Sequence, residues 1–199
     1  MQALGFMFDS EHEKTYLEYH FQDNYVVRIK TIGENPGHKQ SGQYVWPAAK
    51  GLAEYLLDHR NDTVISEAAK IVELGSGCGI GGIIAAKALP NCSQLIMTDY
   101  DPGALSLIND NISLNCVTDN CSTTFLEWGD VESLQQNQLC GNIDLIIGAD
   151  LIYSKDVVFP LFKTVQSCLR QTPSSSYFLL VTSFALGEVG NYVSLHLDC

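Results

Sequence analysis

The chain has 199 residues, 46% of them hydrophobic and 17% charged, with a formal net charge of −12. That is enough apolar material for one sizeable core and too little charge for extended disorder, so a single domain is expected. So acidic a surface repels phosphate backbones, which excludes nucleic acid as the expected partner and suits a basic protein or peptide, although the same charge also serves plain solubility.

Residues 1–46 read as an N-terminal extension. Within it, residues 25–32 are rich in β-branched and aromatic side chains and predict a strand, with 16–21 as its hairpin mate. Residues 33–42 hold Pro36-Gly37 and predict a loop. Pro47 fits the first turn of a helix running to about residue 60, which puts Ala48, Leu52, Tyr55 and Leu56 on one face. From there, across 47–199, short apolar runs alternate with helical patterns. Strands are expected at 70–74, 95–99, 123–126, 143–150 and 177–182, and helices at 80–89, from Asp101-Pro102 onward, and at 156–169. Such alternation implies right-handed β-α-β units: a doubly wound, Rossmann-like α/β domain, mostly parallel, with helices on both faces of the sheet.

Seven cysteines are scattered without a C-x-x-C pair, and no histidines stand at zinc-ligand spacing near Cys116 and Cys121. Reduced thiols and no metal are expected, as in a cytoplasmic protein with the nucleus as a second compartment. Asp9, Glu11, Glu13 and Lys14 leave no signal-peptide apolar stretch, and no run of about twenty apolar residues suggests a bilayer span. No membrane partner is expected.

The chemistry concentrates in residues 73–82, ELGSGCGIGG. Gly77 to Gly82 satisfies G-x-G-x-x-G, the dinucleotide pattern, but it begins two residues after the strand's own turn glycine, Gly75. The register that follows the strand directly is Glu73-x-Gly75-x-Gly77-x-Gly79. A carboxylate at that strand tip is awkward beside a pyrophosphate and suits a ligand with a free ammonium. S-adenosylmethionine carries such an ammonium and no phosphate, and bare glycine backbone allows a close approach. Asp99, ending the next strand, can accept from two ribose hydroxyls in either cofactor class. Asp150 ends an apolar central strand and so points into the ligand crevice.

The run from Glu73 to Gly79, together with Thr98-Asp99, resembles the class I, seven-strand S-adenosylmethionine-dependent methyltransferases. Three further segments narrow the resemblance. Gly42-Gln43-Tyr44-Val45-Trp46-Pro47-Ala48-Ala49 resembles G-x-x-x-W-P-A-A; Leu126-Glu127-Trp128-Gly129-Asp130 resembles L-x-W-G-[DN]; and Ala149-Asp150-Leu151-Ile152-Tyr153 resembles A-D-x-x-Y. Together, over roughly residues 25–187, they are similar to the protein-lysine methyltransferases called methyltransferase family 16. The resemblance implies that Gly75, Ser76, Gly77 and Asp99 contact S-adenosylmethionine, with Glu73 near its methionine end. Trp128 and Asp130 would lie by the adenine, and Trp46 and Ala149 would complete the pocket. Asp150 and Tyr153 would stand where the methyl group meets the acceptor, a lysine side chain of a protein.

Enzymes of this class close the sheet with an antiparallel strand pair beside strand five. After Gly187 only twelve residues remain, enough for one short strand at 192–197. The last pair is therefore expected to be missing or incomplete, with strand five an exposed edge. Three readings follow: an S-adenosylmethionine-dependent protein-lysine methyltransferase; a catalytically impaired module that keeps the cofactor site; and a dinucleotide oxidoreductase, whose register fits worst.

Overall fold

In the computed structural model, which describes residues 14–32, 41–170, 176–183 and 192–195, the chain opens with an antiparallel hairpin of β1 (Thr15–His20) and β2 (Val26–Thr31). The charged residues read at 9–13 and the loop at 33–40 lie outside the described residues. The main elements then follow as α1 (Pro47–Asp58), α2 (Thr63–Ser66), β3 (Lys70–Leu74), α3 (Ile80–Ala88), β4 (Gln94–Asp99) and α4 (Pro102–Leu114). After them come β5 (Cys121–Phe125), α5 (Val131–Gln136), β6 (Leu145–Ala149), α6 (Val158–Cys168), β7 (Tyr177–Val181) and β8 (Tyr192–Leu195).

Six strands form one sheet in the order β5-β4-β3-β6-β7-β8, the first five parallel and β8 antiparallel to β7. Period-two alternation sorts the central strands into two cores. On one face Ile71, Leu95, Met97, Leu145, Ile147 and Leu179 pack with Leu52 and Leu56 of α1, Ile83 of α3 and Val27 and Ile29 of the hairpin. On the other, Val72, Leu74, Ile146, Phe178 and Leu180 pack with Leu134 of α5 and Leu161 and Val165 of α6. Among the described residues no helix is long and apolar enough to cross a membrane.

The helix starts follow local chemistry. Asp101 caps α4 by accepting from the Gly103 amide at 2.8 Å, with Pro102 in the first turn. For α1, Pro47 stands in the first turn but the cap residue Trp46 makes no side-chain cap; that duty passes to a residue a hundred positions away, described below.

Three features depart from the sequence expectations. Helices α2 and α5 are too short for a periodic signal. The strand expected over 143–150 is regular only from Leu145 to Ala149, with Ile143 in a single bridge to Leu169 and Asp150 already turned to a left-handed φ of 54°. Strand β7 is not left bare: β8 pairs along it from Phe178 to Val181.

Candidate active site

The order of the sheet reverses at β3, which feeds β4 on one side and neighbours β6 on the other. A ligand crevice is expected outside the carboxyl ends of strands at such a point. A cavity of about 560 Å³ lies there, within the range of small-molecule sites.

Its floor is glycine backbone. Gly75 and Gly77 have φ of +58° and +55°. A Cβ on Gly75 would come 2.9 Å from Leu151 Cδ2 and 3.2 Å from Trp128 Cζ2, and one on Gly77 would come 3.0 Å from the Gly42 carbonyl oxygen. Any side chain would therefore strain the loop and fill the cavity at once. Gly42 belongs to a strap laid across the loop, fastened where the Gln43 carbonyl accepts from the Ile32 amide at 3.2 Å and from Thr31 Oγ1 at 2.8 Å.

Asp99 reaches the cavity from the end of β4. Its Oδ2 accepts from the Gly77 amide and its Oδ1 from the Asp101 amide, each at 3.0 Å. Burial pushes its carboxyl above the ordinary range, against the pull of those amides. A carboxylate has about four acceptor positions, so those two bonds leave it capacity to accept from a ligand.

Asp150, at the end of β6, is 6% exposed and ties three elements together. Its Oδ2 accepts from the Ala48 amide at 3.2 Å, supplying the cap that α1 lacks, and from Ser183 Oγ at 2.7 Å; its Oδ1 accepts from the Ser183 amide at 2.6 Å. Among the described residues that leaves one acceptor position. Tyr153 is 57% exposed, with its ring 6.4 Å from that of Trp128. Burial of its hydroxyl is the main cause that raises its pKa, with Tyr100 and Asp99 adding to it.

Trp46, Gly75, Gly77, Asp99, Trp128, Ala149, Asp150 and Tyr153 are thus brought together on one cavity wall. Glu73, Ser76 and Asp130 are not. Glu73 is 3% exposed and turned behind the loop, where its Oε1 accepts from the Gly82 amide at 3.1 Å and its Oε2 meets no donor among the described residues. Burial pushes its carboxyl up to about 8, so it is mostly neutral at pH 7. The ammonium contact expected of Glu73 is not available from that position. Ser76 turns its hydroxyl inward to the Glu73 carbonyl at 3.2 Å. Asp130 is exposed and caps α5, accepting from the Ser133 amide at 3.0 Å.

The wall also holds Tyr100, Glu127, Asp156, Val157 and Pro160, which sequence reasoning did not select. Tyr100 lies one position beyond the Thr98-Asp99 motif, and Glu127 is the unspecified position within Leu126-Asp130, so both adjoin selected residues. Asp156, Val157 and Pro160 carry no local signal; the start of α6 brings them in. Among the described residues the wall has four carboxylates, on Asp99, Glu127, Asp150 and Asp156, and no Lys, Arg or His. Among the described residues no cluster could hold a metal ion.

A parallel sheet with a glycine-floored cavity at its switch point and a ribose-type carboxylate on the neighbouring strand defines a nucleoside-cofactor protein of methyltransferase architecture. The same fold occurs in an S-adenosylmethionine-dependent methyltransferase from Aquifex aeolicus, with a TM-score of 0.53 at 12% identity over 68% of this chain and 66% of that one. A model of the lysine methyltransferase family matches residues 26–184, and the chain belongs to that family of S-adenosylmethionine-dependent enzymes. It is 28% identical over 182 residues to the protein N-terminal and lysine N-methyltransferase efm7 of Aspergillus fumigatus, covering 87% of this chain and 68% of that one. It is 36% identical over 118 residues to EEF1A lysine methyltransferase 3 of Mus musculus, covering 59% and 46%. The chain thus spans from about two thirds to less than half of the length of these relatives.

Proposed function

We propose that this chain binds S-adenosylmethionine in the switch-point cavity and transfers its methyl group to a lysine side chain of a protein, with a basic protein fitting the net charge of −12 best. The observation that carries this is the wall itself: among the described residues, four carboxylates and no cationic side chain over bare glycine backbone. Such a wall disfavours a pyrophosphate and favours ligands that bear positive charge. When bound, S-adenosylmethionine supplies a methyl group activated by its sulfonium.

The chain's own residues have the following parts. Gly75 and Gly77 give the cofactor its floor, and Asp99 turns its remaining acceptor capacity to the ribose hydroxyls. Trp128 flanks the adenine, and Trp46 and Ala149 close the pocket. Glu73, Ser76 and Asp130 act from behind the wall by holding the loop and α5 in shape. Asp150 offers its one remaining acceptor position to the incoming amine, and Tyr153 narrows the channel beside it. The wall carboxylates draw in the ammonium form of lysine, whose pKa in water is near 10.4. Transfer needs the neutral amine, and removal from water beside Trp128 and Tyr153 favours loss of that proton. Alignment alone can supply about 7–11 kcal/mol of the barrier reduction. Six cysteines among the described residues are free thiols, which supports a reducing compartment, the cytoplasm or also the nucleus.

Thermal-shift titration followed by labelling tests the proposal. S-adenosylmethionine and S-adenosylhomocysteine should raise the melting temperature, by about 2.7 kcal/mol of added stability at a hundred times Kd, whereas NAD should not. Asp99→Asn should lose most of that shift. With methyl-labelled cofactor and cell lysate, label should appear on protein lysine, and Asp150→Asn should reduce it while still binding S-adenosylhomocysteine. Stabilisation without any lysine label would leave a binding module in place of an enzyme.

A further inference from the structure

We infer that the mouth of the cavity is a docking surface for a basic polypeptide segment, with Phe159 as its apolar anchor. This rests on the methyl-transfer reading, because that segment is the one that presents the acceptor lysine.

Among the described residues six large apolar side chains are exposed; two of them stand on the cavity wall and two more, Phe125 and Phe159, adjoin wall residues in sequence. Tyr100 and Tyr153 stand on the cavity wall itself. Phe125 ends β5 one residue before Leu126, also on the wall. Phe159 is the most exposed of the six at 78% and lies between the wall residues Val157 and Pro160. Packing does not call for it there. Helix α6 buries Leu161, Thr164, Val165 and Cys168, while Phe162 makes the edge-on contact with Phe178. A phenylalanine left in water forgoes the favourable burial of its ring, and a cluster of such side chains beside a cavity marks a contact surface.

Charge selects the occupant. Glu127 and Asp156 stand on the wall and are exposed, next to the aromatic rings. Among the described residues Lys163 is engaged, donating to the Gly129 carbonyl at 3.1 Å, and Lys155 precedes the wall residue Asp156 in sequence. Rings beside carboxylates suit lysine and arginine, whose aliphatic stems lie on the rings while their heads reach the acids. Acidic segments, anionic lipid and nucleic acid would all meet like charge.

Two fluorescent peptides of equal length decide the matter. Both have a central lysine and two leucines; one flanks the lysine with arginines, the other with glutamates. Anisotropy titrations use the full chain, with and without S-adenosylhomocysteine, at low and physiological salt. The arginine peptide should bind at least tenfold more tightly than the glutamate peptide and weaken as salt rises. Phe159→Ser should weaken the arginine peptide roughly tenfold while leaving the melting temperature and the S-adenosylhomocysteine shift unchanged. Equal affinity for the two peptides, or an arginine peptide indifferent to Phe159→Ser, would overturn the docking surface. Loss of the S-adenosylhomocysteine shift with peptide discrimination intact would instead sink the methyl-transfer reading and leave the docking surface standing.

Discussion

Glu73 occupies the fourth position of β3 with its carboxyl pressed between the start of α3 and Met97: a Cβ on Gly82 would lie 2.7 Å from its Oε2 and 2.9 Å from the Met97 methyl. Burial lifts its pKa from an ordinary 4.5 to about 8, and the Gly82 amide offsets only part of that. The folded state therefore holds this proton where the unfolded state has released it. The group's favourable contribution is complete below pH 4.5 and is lost progressively as pH rises to about 8, at up to ~1.4 kcal/mol per pH unit. Glu73→Gln cannot ionise, so its stability relative to the native chain should climb over that window and level off above it. Urea denaturation at a series of pH values measures this, and parallel pH profiles for the two proteins would show that Glu73 is ionised in the fold. The acidic character of position 73 was plain in the sequence, but its direction was not. The pleat puts Glu73 on the side of Ile71, beneath α3, while Asp99 and Asp150 reach the crevice from strand ends.

At the scale of elements, the hairpin is held to the domain by side-chain amides from α4. Asn111 Oδ1 accepts from the Lys30 amide at 2.7 Å, and its Nδ2 donates to the Lys30 carbonyl at 3.1 Å and the Cys78 carbonyl at 2.9 Å. One turn on, Asn115 Oδ1 accepts from the Arg28 amide at 3.0 Å, and its Nδ2 donates to the Arg28 carbonyl at 2.6 Å. Two asparagines four apart thus take the place of a neighbouring strand along β2. Asn111→Ala leaves these buried groups without partners and should cost about 2–4 kcal/mol, with faster amide exchange at Lys30; unchanged exchange there would refute the role. The apolar stripe of α4 was readable as Leu105, Ile108 and Ile112, and the structure buries the last two while leaving Leu105 partly covered. Asn111 and Asn115 could not be read, because their partners on β2 lie more than eighty residues away. Helix α5 escaped notice for a different reason: six residues carry no usable period, and Asp130, its cap, was assigned to the adenine instead.

For the whole molecule, the edge beyond β7 is covered by four residues of backbone pairing from β8. A chain ended at residue 191 would expose that edge and should lose roughly 2 kcal/mol or more while self-associating with concentration, visible by light scattering after size exclusion. A monomer of unchanged stability would show that β8 contributes little. The resemblance of four motif segments pointed to the family, and the sequence by itself determined the fold class, the parallel order of the chain, and the glycine loop and its register. Each of these rests on short-range spacing: period two in strands, glycines at alternate positions, a carboxylate at a strand tip. Only the tertiary structure decided which carboxylates face the cavity, that Asp150 also caps α1, and that Phe159 is left exposed on α6. Those depend on through-space partners brought together by packing, and no local pattern encodes where a side chain ends up once the elements have closed around it.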